Sequence, residues 1–263
     1  MKRVLALMLA LLMLLTLVAC SSEEESEEEE KSNMTVTSTD LVYRPDENPN
    51  NEAFYYEYIN IDEVRILKYE GTHLPHAVTV PTEIDKLPVT AIASDAFKSC
   101  TSITAVNLPD TVTTIGDSAF YGCTELLAVK MPAALTHIGD TAFAGCSKLG
   151  TVSIIGNVTE IGVGAFYGCS AMTSVALPAT LDVLSDLVFM DCALLKTVTW
   201  APTAEKTEIG NSAFAGCAAL ESFVFPTTIK SIGQNAFQNC AKLTKPVLAE
   251  DVVVGNLAFY GTK

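Results

Sequence analysis

Basic residues are scarce in this chain of 263 residues. It has 16 lysines and arginines against 31 aspartates and glutamates, which gives a formal net charge of −15. No stretch forms a basic patch that could neutralise a phosphate backbone, so we expect no nucleic-acid partner. The acidity is uneven: residues 1–52 hold 11 acids and 4 bases, whereas residues 78–263 hold 16 acids and 10 bases, a net charge of −6.

Groups suited to catalysis are also scarce. The histidines are His73, His76 and His137. His73 and His76 are close in sequence, but no third ligand for a metal ion is indicated, and His137 is expected in a solvated loop. No Ser-His-Asp set, pair of catalytic carboxylates or phosphate-binding loop can be recognised. We therefore predict a protein without enzymatic activity, cofactor or metal, and keep an enzyme with its site on loops as an alternative.

The N-terminus has the pattern of an export signal. Met1-Lys2-Arg3 is followed by an uncharged, leucine-rich run of 16 residues, which is short for a membrane span. The run ends Leu17-Val18-Ala19-Cys20, which resembles the lipobox of bacterial lipoproteins. We predict a lipoprotein signal peptide at 1–19 and lipidation of Cys20, so that the protein is secreted and anchored in the membrane at the cell surface. An ordinary secretory signal and an uncleaved anchor helix are the alternatives.

The segment that follows Cys20 is strongly acidic. Ser21 to Asn33 contains no apolar residue and has seven glutamates within eight positions. Repulsion between these charges favours an extended, solvated chain. We predict an acidic, disordered tether over 20–52. A cation-binding tail is the alternative, although nothing in the segment fixes a coordination geometry.

An internal repeat of about 23 residues fills most of the remaining chain. Eight phenylalanines follow one another at spacings of 23, 23, 23, 23, 25, 23 and 22, and a cysteine lies three residues after each of the first seven. The predicted core positions of the repeat are Phe97, Cys100, Phe120, Cys123, Phe143, Cys146, Phe166, Cys169, Phe189, Cys192, Phe214, Cys217, Phe237, Cys240 and Phe259. One unit cannot bury its apolar side alone, so we predict the stacked coils of a solenoid over 78–263.

Each unit is predicted to hold one short strand and one short helix or 3-10 turn. Apolar residues six and eight positions after the cysteine, such as Val129 and Met131, alternate as in a strand. The Ala-Phe segment lies between N-cap residues, such as Asp117, and glycines, such as Gly122, that suit a left-handed C-terminal turn. The predicted fold is therefore an α/β repeat solenoid of about eight 23-residue coils.

The repeat resembles that of a known family. The motif I-G-x-x-A-F-x-x-C-x-x-L-x-x-V-x-L-P, nearly complete from Ile115 to Pro132, is similar to the BspA-type leucine-rich repeat of bacteria. Val64 to Gly71 is similar to the strand that opens such arrays, so we predict a cap of strands over 53–77. The resemblance implies a cell-surface protein that acts in adhesion or protein binding, through a protein ligand whose identity it does not give.

The seven repeat cysteines could serve in several ways. They are at least 23 residues apart and have no histidine beside them, which argues against a zinc site, and seven equivalent thiols argue against one activated nucleophile. Strands of stacked coils lie about 4.8 Å apart, which is within the Cα–Cα range of disulfides, but the side chains would point in parallel. We predict a buried column of free thiols and keep disulfides as the alternative.

The outward strand positions form the predicted binding face. It comprises Asn107, Lys130, Thr151, Ser153, Ser174, Thr197, Thr199 and Ser222. These side chains are small and mostly uncharged, without an aromatic row or arginine and tyrosine anchors. We expect either a protein ligand here or a sheet that is merely solvated. A second functional hypothesis is an envelope scaffold that assembles through the last coil, since exposed terminal coils tend to associate.

Overall fold

The structure is a computed structural model that describes residues 41–45, 52–154, 157–200, 202–203 and 206–263. The predicted signal peptide, Cys20 and most of the predicted tether lie outside the described residues. Within the described ranges all regular secondary structure is β. In that same part of the chain, no helix has the length and hydropathy of a membrane span.

The described residues form short strands throughout. The strands are β1 (Val42–Tyr43), β2 (Ala53–Tyr58), β3 (Val64–Glu70), β4 (His76–Thr79), β5 (Glu83–Ile84), β6 (Leu87–Ile92), β7 (Ile103–Asn107), β8 (Thr114–Ile115), β9 (Ala128–Lys130), β10 (His137–Ile138), β11 (Val152–Ser153), β12 (Glu160–Ile161), β13 (Ser174–Leu177), β14 (Val183–Leu184), β15 (Thr197–Trp200), β16 (Thr207–Ile209), β17 (Ser222–Phe223), β18 (Ile229–Ile232) and β19 (Val253–Val254). We number the coils one to eight by their phenylalanines, so that coil one contains Phe97 and coil eight contains Phe259.

The strands before the first coil pair in an antiparallel way. β1 pairs with β2 and β2 with β3, after which β3 pairs in parallel with β6 and so joins the coils. The hydroxyls of Tyr56 and Tyr58 both donate to Asp85, at 2.8 Å each. The ring of Tyr69 stacks on Phe97 with 5.0 Å between centroids. Strands β1 to β3 and the ring of Tyr69 therefore cover the start of the solenoid core.

The inner coils contain two short parallel strands each, one more than we predicted. The predicted strands pair as β4-β7-β9 and as β11-β13-β15-β17. A second set, formed by the Ile-Gly segments, pairs as β6-β8-β10-β12 and as β14-β16-β18-β19. A strand of two residues, such as His137–Ile138, is too short to show an alternating pattern, which is why the sequence did not reveal this second set.

The predicted short helix or 3-10 turn in the Ala-Phe segment is wrong. The N–H of Phe97 donates to Ala119 O in the next coil at 2.7 Å, and that of Ser99 donates to Tyr121 O at 2.7 Å. Between them, the N–H of Lys98 closes a turn onto Asp95 O at 3.0 Å. Asp95 and Ser99, which flank this turn, have positive φ values of 61° and 58°. We call this part of the coils the turn edge. Its N–H groups donate alternately to a carbonyl oxygen of the local turn and to one of the next coil, whereas the N–H groups of a helix donate within the helix.

On the other side of the coil the hydrogen bonds run in the opposite direction. The N–H of Gly116 donates back to Ile92 O in the preceding coil at 2.8 Å, and that of Thr113 donates back to Thr90 O at 2.8 Å. The turn edge donates forward along the array, and most of these bonds on the Ile-Gly side run backward, although the N–H of Thr207 donates forward to Thr228 O at 3.1 Å. Each inner coil is therefore fixed to both of its neighbours by its main chain.

The predicted phenylalanine column forms the centre of the core. Consecutive rings from Phe97 to Phe237 lie 4.8 to 5.4 Å apart between centroids and are within 16° of parallel. All of these rings are fully buried, and Phe259 in coil eight is partly buried. Offset stacking of this kind adds about 0.5–1.5 kcal/mol per pair to the free energy of apolar burial. The leucine-rich β-solenoid thus has about eight coils.

Candidate functional site

The residues of the predicted binding face lie in or directly beside the first set of parallel strands. The strand register places Asn107 beside Lys130, and Ser174 beside Thr197, which in turn lies beside Ser222. In the described residues the sheet is divided between β9 and β11, so the face consists of two groups of strands. All of its predicted residues are exposed except Ser174, which is half-buried.

The side chains of this face interact weakly. Lys130 Nζ lies 3.1 Å from Asp110 Oδ1, and the hydrogen bond from this lysine lowers the pKa of the exposed Asp110 carboxyl. Asn107 Nδ2 donates to Thr79 Oγ1 at 3.3 Å, and Ser174 Oγ donates to Thr151 Oγ1 at 3.5 Å. The face is an open row of hydroxyl groups. Its role in binding stays a prediction.

The cysteine column is buried and built from free thiols. The seven described cysteines are unbridged, and all but the half-buried Cys100 are fully buried. From Cys123 to Cys240, each Sγ–H donates to the carbonyl oxygen of the phenylalanine in the preceding coil, at 3.0 to 3.2 Å. Burial raises the pKa of the Cys192 and Cys240 thiols to about 12. These thiols stay protonated at neutral pH, which suits packing and not nucleophilic attack.

The three histidines have different surroundings. The side chain of His76 is bonded through Nε2 to Tyr69 Oη and through Nδ1 to Leu74 O, at 2.7 Å each. His73 is exposed. Across the described ranges, no three histidine, cysteine or carboxylate side chains are close enough to hold a metal ion. His137 lies in β10 and not in a loop, since it pairs with Thr114 on one side and with Glu160 on the other.

Sequence reasoning missed a second surface, formed by the Ile-Gly segments. We call it the glycine face; its floor is the main chain of Gly116, Gly139 and Gly162 in coils two to four and of Gly210, Gly233 and Gly255 in coils six to eight. A Cβ on Gly139 would lie 2.6 Å from Asp117 N, and one on Gly116 would lie 2.5 Å from Ser94 N. Glycine therefore permits the close main-chain contact between adjacent coils at these positions. The regular spacing of these glycines is the sequence signal for this face.

The predicted N-cap residues form a ladder along the same face. Asp117 Oδ1 accepts from the N–H of Asp140 at 2.8 Å, and Asp140 Oδ1 accepts from the N–H of Val163 at 2.6 Å. Asp186 Oδ1 likewise accepts from the N–H of Asn211 at 2.6 Å. These residues bind the next coil instead of capping a helix in their own. Oxygen acceptors are needed for either role, which is why the sequence pattern suggested caps.

The glycine face is interrupted at Ser185, which stands where the neighbouring coils have glycine. Its Oγ donates to Ile161 O at 2.5 Å, and the strand pairing of the second set is interrupted between β12 and β14. Two shallow grooves result. The first, of about 370 Å³, crosses coils one to four, and the second, of about 510 Å³, crosses coils five to eight.

Parallel strands, stacked coils and a regular column of buried phenylalanines define a leucine-rich-repeat protein. A sequence model described as the BspA type leucine-rich repeat region matches residues 90–208 and 188–263, in six copies. The chain therefore belongs to the BspA-type leucine-rich repeat family, which confirms the resemblance found in the sequence.

Solved structures of leucine-rich repeat proteins are similar to this chain. The T. pallidum leucine-rich repeat protein TpLRR is 33% identical, with a TM-score of 0.52, over 64% of this chain and 87% of that one. A leucine-rich cell surface protein from Faecalibacterium prausnitzii A2-165 is 30% identical, with a TM-score of 0.64, over 79% of this chain and 54% of that one. The chain thus spans about half the length of the second protein. Comparison with curated proteins gave no match.

Proposed function

We propose that this protein is a lipid-anchored surface protein whose solenoid binds a protein ligand without catalysis. The observation that supports this most is the arrangement of its polar side chains, which stand in parallel rows on open faces. An enzyme needs groups that converge on a reacting atom, whereas rows suit contact with an extended partner surface. The F. prausnitzii relative is itself described as a cell surface protein.

The proposed anchor rests on the sequence of the leader. Cys20 follows the lipobox-like residues, and the acidic segment behind it would hold the solenoid away from the membrane. Replacing Cys20 with Ala should move the protein out of the membrane fraction and abolish metabolic labelling with a fatty acid. Unchanged retention of the variant in the membrane would refute lipid anchoring.

The proposed binding activity can be tested on cells that display the full chain. Such cells should adhere to immobilised matrix proteins or to other cells more strongly than cells that lack it. Glutamate substitutions at Thr151, Ser174 and Thr197 should reduce adhesion if the predicted binding face carries the ligand. Full adhesion by this variant would exclude that face, and equal adhesion by cells with and without the protein would refute the function.

The second candidate, an envelope scaffold, is favoured by the surface of coil eight. Leu248, Val254, Leu257 and Phe259 line a groove of about 440 Å³, and Val254 and Leu257 are 46% and 47% exposed. An apolar surface of this kind suits association with another coil. Sedimentation of the purified full chain in density-matched detergent would test this, since a mass that stays monomeric at all concentrations excludes self-assembly.

A further inference from the structure

Three side chains of coils four and five depart from the repeat on the glycine face, and two further departures lie in coil eight. Val163 stands where the two neighbouring coils have Asp140 and Asp186. Val183 stands in strand register with Glu208, at the position that Glu160 has in coil four. The third is Leu187, at the position that is Gly164 in coil four and Ser212 in coil six. Coil eight carries Val253 and Leu257 at two of these positions but keeps the polar Asn256 at the third.

The departures lie in two adjacent coils, together with a tyrosine. A Cβ built on Gly164 would lie 3.7 Å from Tyr167 Cβ and 3.9 Å from Leu187 Cβ, so these two side chains flank the same opening. We call Val163, Tyr167, Val183 and Leu187 the valine–leucine patch. Its side chains are 37% to 47% exposed. Val183 and Leu187 lie two residues before and two residues after Ser185; the first groove ends in coil four and the second begins in coil five.

The fold does not require apolar residues at these positions. The N–H of Leu187 donates to Asn211 O at 2.9 Å, and that of Ser212 makes the equivalent bond to Gln234 O at 2.8 Å. Leu187 also has a φ of 62°, a conformation that leucine adopts at a cost of about 1 kcal/mol. Val163, in turn, has no oxygen to continue the ladder of Asp117 and Asp140. Exposed apolar side chains with no benefit to folding suggest a contact surface.

The charge around the patch selects the kind of partner. Asp140 and Glu160 line the first groove beside it, and Asp186 and Glu208 line the second. The residues that line the second groove include no lysine or arginine, and the first groove includes one arginine, Arg65, which lies beside coil one and is paired with Glu57. A second copy bound through the same patch would bring carboxylates against carboxylates, and an anionic lipid surface would be repelled in the same way. A cationic partner is attracted.

We propose that the valine–leucine patch docks a cationic polypeptide segment that carries apolar side chains between its basic residues. The apolar side chains would cover Val163 and Leu187, while the basic residues would lie along the two grooves against the carboxylates. This inference rests on the proposed binding function and names the surface and the partner chemistry for it.

The test uses the full chain in non-ionic detergent and a fluorescent peptide with two central leucines between pairs of lysines. Fluorescence anisotropy should show binding that weakens as ionic strength rises. Two control peptides should bind poorly: one with glutamate in place of lysine and one with serine in place of leucine. Equal binding of the test peptide and of both control peptides would overturn the proposal.

The decisive variant returns the patch to the residues that other coils use. Val163→Asn and Leu187→Ser together copy Asn211 and Ser212, so the variant should fold, which its circular dichroism and melting curve would check. It should bind the peptide about tenfold more weakly, since two apolar contacts are lost. In the double variant Glu160→Gln, Glu208→Gln, the affinity for the peptide should depend less on ionic strength. Leu127→Ser, a matched change at an exposed leucine outside both the patch and the predicted binding face, should have no effect.

The outcomes separate this inference from the proposed function. Equal peptide affinity of the native chain and the Val163→Asn, Leu187→Ser variant, or absence of peptide binding, would overturn the valine–leucine patch as the docking site. Cell adhesion that persists in that variant would show that the protein binds its ligand elsewhere. Loss of all adhesion by the native protein would instead refute the binding function itself.

Discussion

Gly139→Ala should separate coil three from coil two. The added Cβ would lie 2.6 Å from Asp117 N and 2.7 Å from Gly116 C, both of which belong to the main chain and cannot rotate away. Moving the coils apart would lengthen two hydrogen bonds of 2.8 Å, from Gly139 N to Ile115 O and from Asp140 N to Asp117 Oδ1. The overpacking costs about 1–3 kcal/mol, and the two bonds contribute about 1 kcal/mol each, so we expect a loss of about 3–5 kcal/mol.

Urea unfolding followed by circular dichroism would measure this loss as a lower midpoint. Gly150→Ala is the matched control, because a Cβ there meets only Leu127 O, at 3.7 Å. This second change should alter the free energy of unfolding by at most about 1 kcal/mol. Equal midpoints for the two variants would refute the reasoning that main-chain contact between coils dictates glycine on this face.

Other consequences of the structure can be measured in the same way. Phe143→Ala should lower the free energy of unfolding by about 3–5 kcal/mol, because Phe143 is buried between two rings whose centroids lie 5.0 and 5.3 Å away. Phe259→Ala should lower it by less, because Phe259 is only partly buried. Similar losses for the two variants would contradict this reasoning. A thiol reagent should find seven repeat thiols after unfolding but react slowly with the native protein, and a lower number would indicate disulfides. Because burial raises the pKa of Cys192 and Cys240 from 9.0 to about 12, stability should fall as pH rises through this range, and Cys192→Ala should make the fall shallower. Leu187→Asn should raise the melting temperature and the free energy of unfolding, the latter by up to about 1 kcal/mol, because asparagine tolerates the left-handed φ of 62° better than leucine does. A lower melting temperature would show that the leucine stabilises the fold.

The repeat, its period and its core were predictable because each depends on residue type at fixed spacing. Phe120 and Cys123 recur in register with their equivalents, and both are fully buried in the structure. Their stacking follows from the period alone, since identical side chains one coil apart must lie over one another. The family resemblance rests on the same residues and is confirmed.

The local structure of the turn edge could not be predicted by the rules for helices. Asp117 and Gly122 are a good start and end for a short helix, yet Asp117 binds Asp140 in the next coil and Gly122 N–H bonds to Ala144 O at 2.8 Å. Propensity describes bonds within one segment, and here the partners are a full coil away. The two-residue strands of the glycine face could not be predicted for the same reason, because their hydrogen-bond partners also lie in other coils.

The valine–leucine patch was visible in the sequence only as irregularities in the repeat. Val163 and Leu187 are ordinary residues in isolation. They become unusual when the coils are placed in register and their neighbours prove to be polar. Surface function in a repeat protein therefore has to be sought in departures from the pattern, whereas stability is found in the pattern itself.

The opposite directions of the hydrogen bonds on the two sides of the coil have an electrostatic consequence. At the turn edge the peptide groups of Phe97 and Ser99 point toward the next coil, and at the Ile-Gly side those of Thr113 and Gly116 point toward the preceding one. The two columns of peptide dipoles are antiparallel, so their fields largely cancel. An α-helix, by contrast, accumulates partial charges at its ends. Each added unit of 23 residues therefore brings peptide dipoles of both directions, so that the array does not acquire the end charges of a helix.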